Sequence, residues 1–120
     1  MGISLRQSIN ELKIAGEALS NAEASFSSGD YQVAREMSIG AIEHSAYAIA
    51  SVFINVSGDP RESILSAMIY MPQKLWIEGL RVLEILRIAK DCNVPTLIDL
   101  AREAVEIATG IVMSYVRSEV

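Results

Sequence analysis

The chain has one cysteine, one histidine and three prolines among its 120 residues. With Cys92 alone, no intrachain disulfide can form, which points to a reducing, cytoplasmic setting. With His44 alone, a di-metal centre of the helical-bundle type is excluded, because that site needs two Glu-x-x-His pairs. A two-histidine zinc helix is excluded for the same reason. There is no Gly-rich phosphate loop, so the usual nucleotide fingerprints are missing. No metal and no cofactor is expected.

Basic charge is scarce as well. Ten Lys and Arg stand against fifteen Asp and Glu, for a net charge of −5. The basic residues are scattered from Arg6 to Arg117 with no run among them. Nucleic-acid binders usually show a basic patch and a high pI, and this balance argues against that class. Long apolar runs are missing too. The longest charge-free stretch, His44 to Gly58, is shorter than the roughly 20 residues of a membrane span, so no membrane segment is expected. The start, MGISLRQSINELK, carries charges inside any would-be apolar region and does not read as a secretory signal.

Apolar residues are abundant. They make up 51% of the chain, and the mean hydropathy is +0.30. Disorder is excluded on these values. A domain of this size cannot hide so much apolar surface internally, so an association surface is the expected outlet. The length fits a single domain over 1–120.

Helical periodicity runs nearly throughout, and strand alternation is almost nowhere. The first helix is predicted over Leu5 to Ser27, with Ser4 and Gln7 as a capping box. Its apolar seam passes through Leu5, Ile9, Leu12, Gly16, Leu19, Ala22 and Phe26, and Gly29 stops it. Asp30 then caps a second helix reaching about Val56. That seam is built from small residues: Ala34, Ser38, Ala41, Ser45, Ala48 and Val52. Asp59-Pro60-Arg61-Glu62 starts a short helix that ends near Tyr70, because Pro72 restrains Met71. A last helix covers Pro95 to Ser118. Gly16, Gly40, Gly79 and Gly110 each interrupt a long helix, and close helix crossing or a ligand near the backbone would compensate their cost. The expected fold is all-α: an antiparallel up-and-down bundle of four long helices plus one short helix.

The fourth helix, about Pro72 to Asp91, is distinctive. Lys74, Glu78, Arg81, Glu84, Arg87 and Lys90 follow one another at three- or four-residue steps as a narrow polar stripe. Nearly everything else is apolar, so most of its girth must be covered. One side faces the core. The other, with Trp76, Leu80 and Leu83, is expected to meet a second subunit.

Arg35, Glu43, His44 and Tyr47 gather polar chemistry on the second helix. They are the candidate ligand-binding residues, for a protein partner or a small nucleotide-like ligand. Paired carboxylates such as Glu36 and Glu43, or Glu103 and Glu106, read first as solvated helix faces. No catalytic residue is assigned.

The first half, about Leu5 to Val56, resembles the HEPN domain family. The resemblance is carried by the turn Gly29-Asp30-Tyr31 and the alanine-spaced helix after it (Ala34, Ala41, Ala48, with Ala46 and Ala50). The second half is similar in length and helix content only. The resemblance implies a bundle of four or five helices that dimerises. It also implies a partner, often a minimal nucleotidyltransferase in a toxin–antitoxin pair. Many members are ribonucleases carrying Arg, four to six residues, then His. Here Arg61 has no histidine after it, and Arg35 precedes His44 with eight residues between them. The resemblance therefore implies a member without nuclease activity. The alternatives are a divergent ribonuclease using Arg35, Glu43, His44 or Tyr47, and a helical adaptor. Ala18, Gly29, Tyr31, Ala34 and Ala41 resemble one tetratricopeptide unit, although such units need at least about three copies for stability.

Overall fold

The computed structural model describes residues 3–56 and 58–118, with side chains from Leu5 onward. Five α-helices follow one another: α1 (Ile3–Ser27), α2 (Tyr31–Ser51), α3 (Pro60–Met68), α4 (Trp76–Ile88) and α5 (Val94–Ser118). There is no strand among the described residues. No helix is long and apolar enough to cross a membrane, again among the described residues. The fold is all-α, with three long helices and two short ones.

The α1–α2 hairpin is its largest pairing, and local signals set the turn. Gly29 takes φ +85°, the left-handed conformation that ends a helix without a Cβ clash. The Asp30 carboxylate accepts from the Val33 amide at 3.2 Å and caps α2. Both helices then bury small residues: Ser8, Ala15, Ala18 and Ala22 on α1, and Ala34, Ser38, Ala41, Ser45 and Ala48 on α2. The Ser38 and Ser45 hydroxyls donate back to the Ala34 and Ala41 carbonyls at 2.8 and 2.7 Å, so neither burdens the interior with an unmet donor.

The α1 seam differs from the expected one. Ile9 is 36% exposed, while Ala15, outside the expected seam, is fully buried beside the expected Ala22. The helix is rotated to present its alanines, because small side chains on α1 are the counterpart of the small side chains of α2. α1 also begins at Ile3, ahead of the predicted start. The expected Ser4 cap falls on a side chain outside the described residues.

α5 covers the hairpin through Leu97, Ala101, Ala104, Ala108, Ile111 and Val112, all buried. Asn93 caps it, accepting from the Thr96 amide at 2.9 Å. Two clusters form the core. One gathers Ile42, Ile85, Leu97 and Leu100; the other gathers Ile49, Ile64, Val82, Ile111 and Val112.

Four helix ends depart from expectation for one reason: the bonds there tighten to i→i+3. α2 ends at Ser51, with Val52 and Phe53 amides donating to the Ile49 and Ala50 carbonyls. Phe53 then stacks edge-on against Tyr115, with ring centroids 5.4 Å apart. α3 ends at Met68, where the Tyr70 amide donates to Ala67. α4 is only 13 residues long, bracketed by 3₁₀ turns at Gln73–Leu75 and Ala89–Asp91. Pro72 lacks an amide hydrogen and no side chain caps α4, so the 3₁₀ bond from the Leu75 amide to the Pro72 carbonyl (2.9 Å) starts the segment.

Charged pairs tie the outer surfaces. Arg81 of α4 holds Glu103 of α5 through two parallel bonds, Nε to Oε2 at 2.5 Å and Nη2 to Oε1 at 2.8 Å. Arg102 of α5 reaches Glu23 of α1 at 2.7 Å.

The interior glycines do not mark close crossings. A methyl group built at Gly16, Gly40 or Gly110 meets nothing within 4 Å, and at Gly79 it meets the Met68 and Met71 sulphurs at 3.4 and 3.5 Å, an ordinary contact. Gly40→Ala is therefore expected to stabilise the fold by about 0.5–1 kcal/mol, read from the urea midpoint at constant m-value.

The Arg81 bond holds the Glu103 carboxyl below its usual range, against a smaller opposing effect of burial. Its contribution is complete above the ordinary carboxylate pKa and is lost as pH falls through the lowered value. Glu103→Gln should lower stability at pH 7 and lose less of it on acidification from pH 7 to 3 than the native chain. Urea midpoints across that range check this.

Candidate functional site

The hairpin register brings Glu11 of α1 against His44 of α2, with Oε2 and Nδ1 2.6 Å apart. One turn further on, Tyr47 meets the His44 ring edge-on at 6.1 Å. Its hydroxyl donates to the Gly58 carbonyl at 3.0 Å, tying the loop before α3 to the middle of the molecule. Burial raises the Tyr47 phenol above its usual value, and the carboxylates of Glu43, Asp59 and Glu11 push it further. Tyr47 is thus a protonated donor at neutral pH.

Of the four candidate residues, Glu43, His44 and Tyr47 share this cluster and Arg35 does not. Arg35 lies nine residues before His44, about 13 Å along the helix axis. Its Nη2 donates to the Cys92 carbonyl at 2.7 Å and closes the break between α4 and α5. There it borders a shallow cleft of ≈ 420 Å³ with Phe26, Tyr31 and Pro95.

The cluster is therefore acidic, with Glu11, Glu43 and Asp59 around one histidine and one phenol and no arginine or lysine bonded into it. Anionic phosphate finds no counter-charge in this group, the reverse of what an RNA backbone requires. Among the described residues no three His, Cys, Asp or Glu side chains are grouped to hold a metal ion. A groove of ≈ 610 Å³ lies elsewhere, between the start of α4 and the end of α5, and is bordered by Lys74, Glu78 and Tyr115. It shares no residue with the His44 cluster.

A second feature lies on α3 and α4. Gly79, Val82 and Ile85 of α4 are buried, while Trp76, Ile77 and Leu80 are 42%, 80% and 55% exposed. Leu65, Ile69 and Tyr70, from α3 and the turn after it, are 51%, 78% and 68% exposed. The Trp76 indole donates to the Met71 carbonyl at 3.1 Å. Met68 and Met71 also lie against Gly79, so the end of α3 and the start of α4 are held side by side. Of the three expected interface residues, Trp76 and Leu80 belong to this face. Leu83 packs instead, partly buried, on the core cluster around Val82 and Ile111.

The polar stripe of α4 explains the arrangement. Steps of three advance 300° around a helix, so the stripe drifts across it. Arg81 turns to α5, and Glu84 pairs with Arg87 at 2.6 Å. The first half of the outer flank is left apolar.

Glu11 and Asp59 did not stand out as candidates. The hairpin register carries the signal for Glu11: it lies 18 residues before Gly29 and His44 lies 15 after it, so the antiparallel return of α2 brings the two to within one turn of the same height. Leu65 and Ile69 were signalled by the apolar residues of α3 and its end, and Ile77 by those of α4.

Tyr47→Phe should remove one tether of the 58-loop and cost about 0.5–1.5 kcal/mol in a urea melt. It should also remove from the tyrosine absorbance titration a phenol that ionises above the usual range.

No family model, curated protein or solved structure matches this chain.

Proposed function

We propose that the chain is a HEPN-like antiparallel up-and-down bundle acting as a non-catalytic binding component. It works by protein contact through the face that α3 and α4 turn outward. The observation that carries this reading is the exposed apolar set around Trp76, Ile77 and Leu80, on a helix whose opposite side is core. Clustered exposed apolar side chains on a soluble protein mark interaction surfaces, whereas singly scattered ones do not.

The His44 cluster supports the non-catalytic part. His44 is paired with Glu11, Tyr47 holds a loop and Arg35 holds another. Each of these groups already has a structural task, and none is arranged around an enclosed pocket. A minimal nucleotidyltransferase of a toxin–antitoxin pair is the partner to which the HEPN resemblance points.

The test is an RNA-cleavage assay comparing the native chain with His44→Ala. The expected result is background-level cleavage by both. Cleavage by the native chain that His44→Ala abolishes would replace the binding role with a catalytic one.

A further inference from the structure

We infer that the groove between the start of α4 and the end of α5 binds a small zwitterion with an apolar body, of the α-amino acid class. The groove shares no residue with the exposed apolar set of α3 and α4, so this site stands apart from the protein-contact reading.

Shape is the first argument. The groove holds ≈ 610 Å³, inside the range of small-molecule sites. Its walls come from two elements distant in sequence, with Leu75 and Glu78 on one side and Gly110, Ile111 and Tyr115 on the other. Ile111 is 1% exposed and Leu75 is half-buried, so core residues form the floor. The Tyr115 ring is fixed by its edge-on contact with Phe53, so that wall is formed in advance. The cleft beside Gly16 is different. Lys13, Glu17, Ser20 and Asn21 all belong to α1 with it, and it is only the flank of one helix.

Gly110 is the second argument. It lies in the interior of α5, where glycine is disfavoured relative to alanine. An added Cβ meets nothing within 4 Å, so no helix crosses there. The missing side chain leaves its room to the groove that Gly110 lines, and a ligand can approach the backbone.

Charge is the third argument. Lys74 and Glu78 both line the groove and are four residues apart, the spacing of a helical ion pair. They do not pair. Among the described residues neither makes a hydrogen bond or an ion pair, whereas further along the same segment Arg81 holds Glu103 and Glu84 holds Arg87. The cause is local. Lys74 lies in the 3₁₀ turn before α4 begins, and that tighter winding displaces it from the place an α-helical turn would give it. One groove therefore offers an ammonium and a carboxylate that are not spent on each other. A ligand of single charge answers one of them; a zwitterion answers both. The Ser114 and Ser118 hydroxyls donate to the Ile111 and Ser114 carbonyls at 2.7 and 2.9 Å. Their oxygens are left as acceptors, which suits a ligand ammonium. Leu75, Ile111 and the Tyr115 ring take the apolar body.

The experiment follows the Gly110 and Ser114 amides by NMR as L-phenylalanine, phenylpropionate or phenylethylamine is added. The second probe lacks the ammonium and the third lacks the carboxylate. L-phenylalanine should give saturable shifts with a dissociation constant on the order of 0.1–1 mM, as expected for a ligand of its size. Each of the other two should bind about tenfold more weakly. Lys74→Gln should weaken L-phenylalanine and phenylpropionate and leave phenylethylamine unchanged. Glu78→Gln should weaken L-phenylalanine and phenylethylamine and leave phenylpropionate unchanged. Gly110→Leu fills the groove and should abolish binding of all three. It replaces glycine by a better helix former, and circular dichroism confirms retained helix.

No saturable shift with L-phenylalanine up to about 10 mM would overturn the proposal. Equal affinity for the three probes, or full binding by Gly110→Leu, would overturn it as well. None of the substitutions touches Trp76, Ile77 or Leu80, so these outcomes leave the protein-contact reading to its own test.

Discussion

The structure depends on the close approach of α1 and α2. Alanine and serine occupy the facing stripes of both helices, from Ser8 to Ala22 on one and from Ala34 to Ala48 on the other. Such side chains have almost no rotamer entropy to lose and let two backbones come near. Their contact fixes the hairpin. The hairpin in turn sets Glu11 against His44 and leaves a surface on which α5 lies.

The same choice has a cost in bulk. An alanine removes little apolar area from water, so a core of alanines is thin for its length. Large side chains are concentrated where α5, α3 and α4 meet the hairpin, at Ile42, Ile49, Ile64, Ile85 and Ile111. What does not fit there is left outside. Trp76, Ile77, Leu80 and their neighbours on α3 are that remainder. Most of the exposed large apolar side chains are thus on α3, α4 and the turn between them, with Ile9, Tyr31 and Met113 elsewhere.

Much of the frame was legible in the sequence. Gly29 and Asp30 marked the first turn because a left-handed residue and a side-chain cap are local needs. Asp59-Pro60 marked the start of α3 for the same reason. Helix ends without such chemistry were not legible. α2 stops at Ser51 and α4 starts at Trp76 through backbone bonds that tighten by one residue, which no side chain announces. The α1 seam was misjudged at Ile9 because size alone favoured the larger residue, whereas the fit to α2 favoured alanine. The candidate site was half legible. Glu43, His44 and Tyr47 were found by sharing one helix, but sharing a helix does not bring Arg35 near them. Glu11 and Asp59 enter from other elements, and only the tertiary register supplies them.

The outward face also belongs to the most weakly held part of the molecule. Only Ser63, Ile64 and Ala67 of α3 and Gly79, Val82 and Ile85 of α4 are fully inside, against ten residues of α2. The lobe from Pro60 to Ile88 is fastened at its margins by the Tyr47 hydroxyl and the Arg81–Glu103 fork. Regions with so few interior contacts open before the rest of a protein does. Whatever covers this face binds the closed lobe and not the open one, so occupancy would draw on mass action to hold the lobe shut. Covering the outward surface and keeping the lobe closed are then one act.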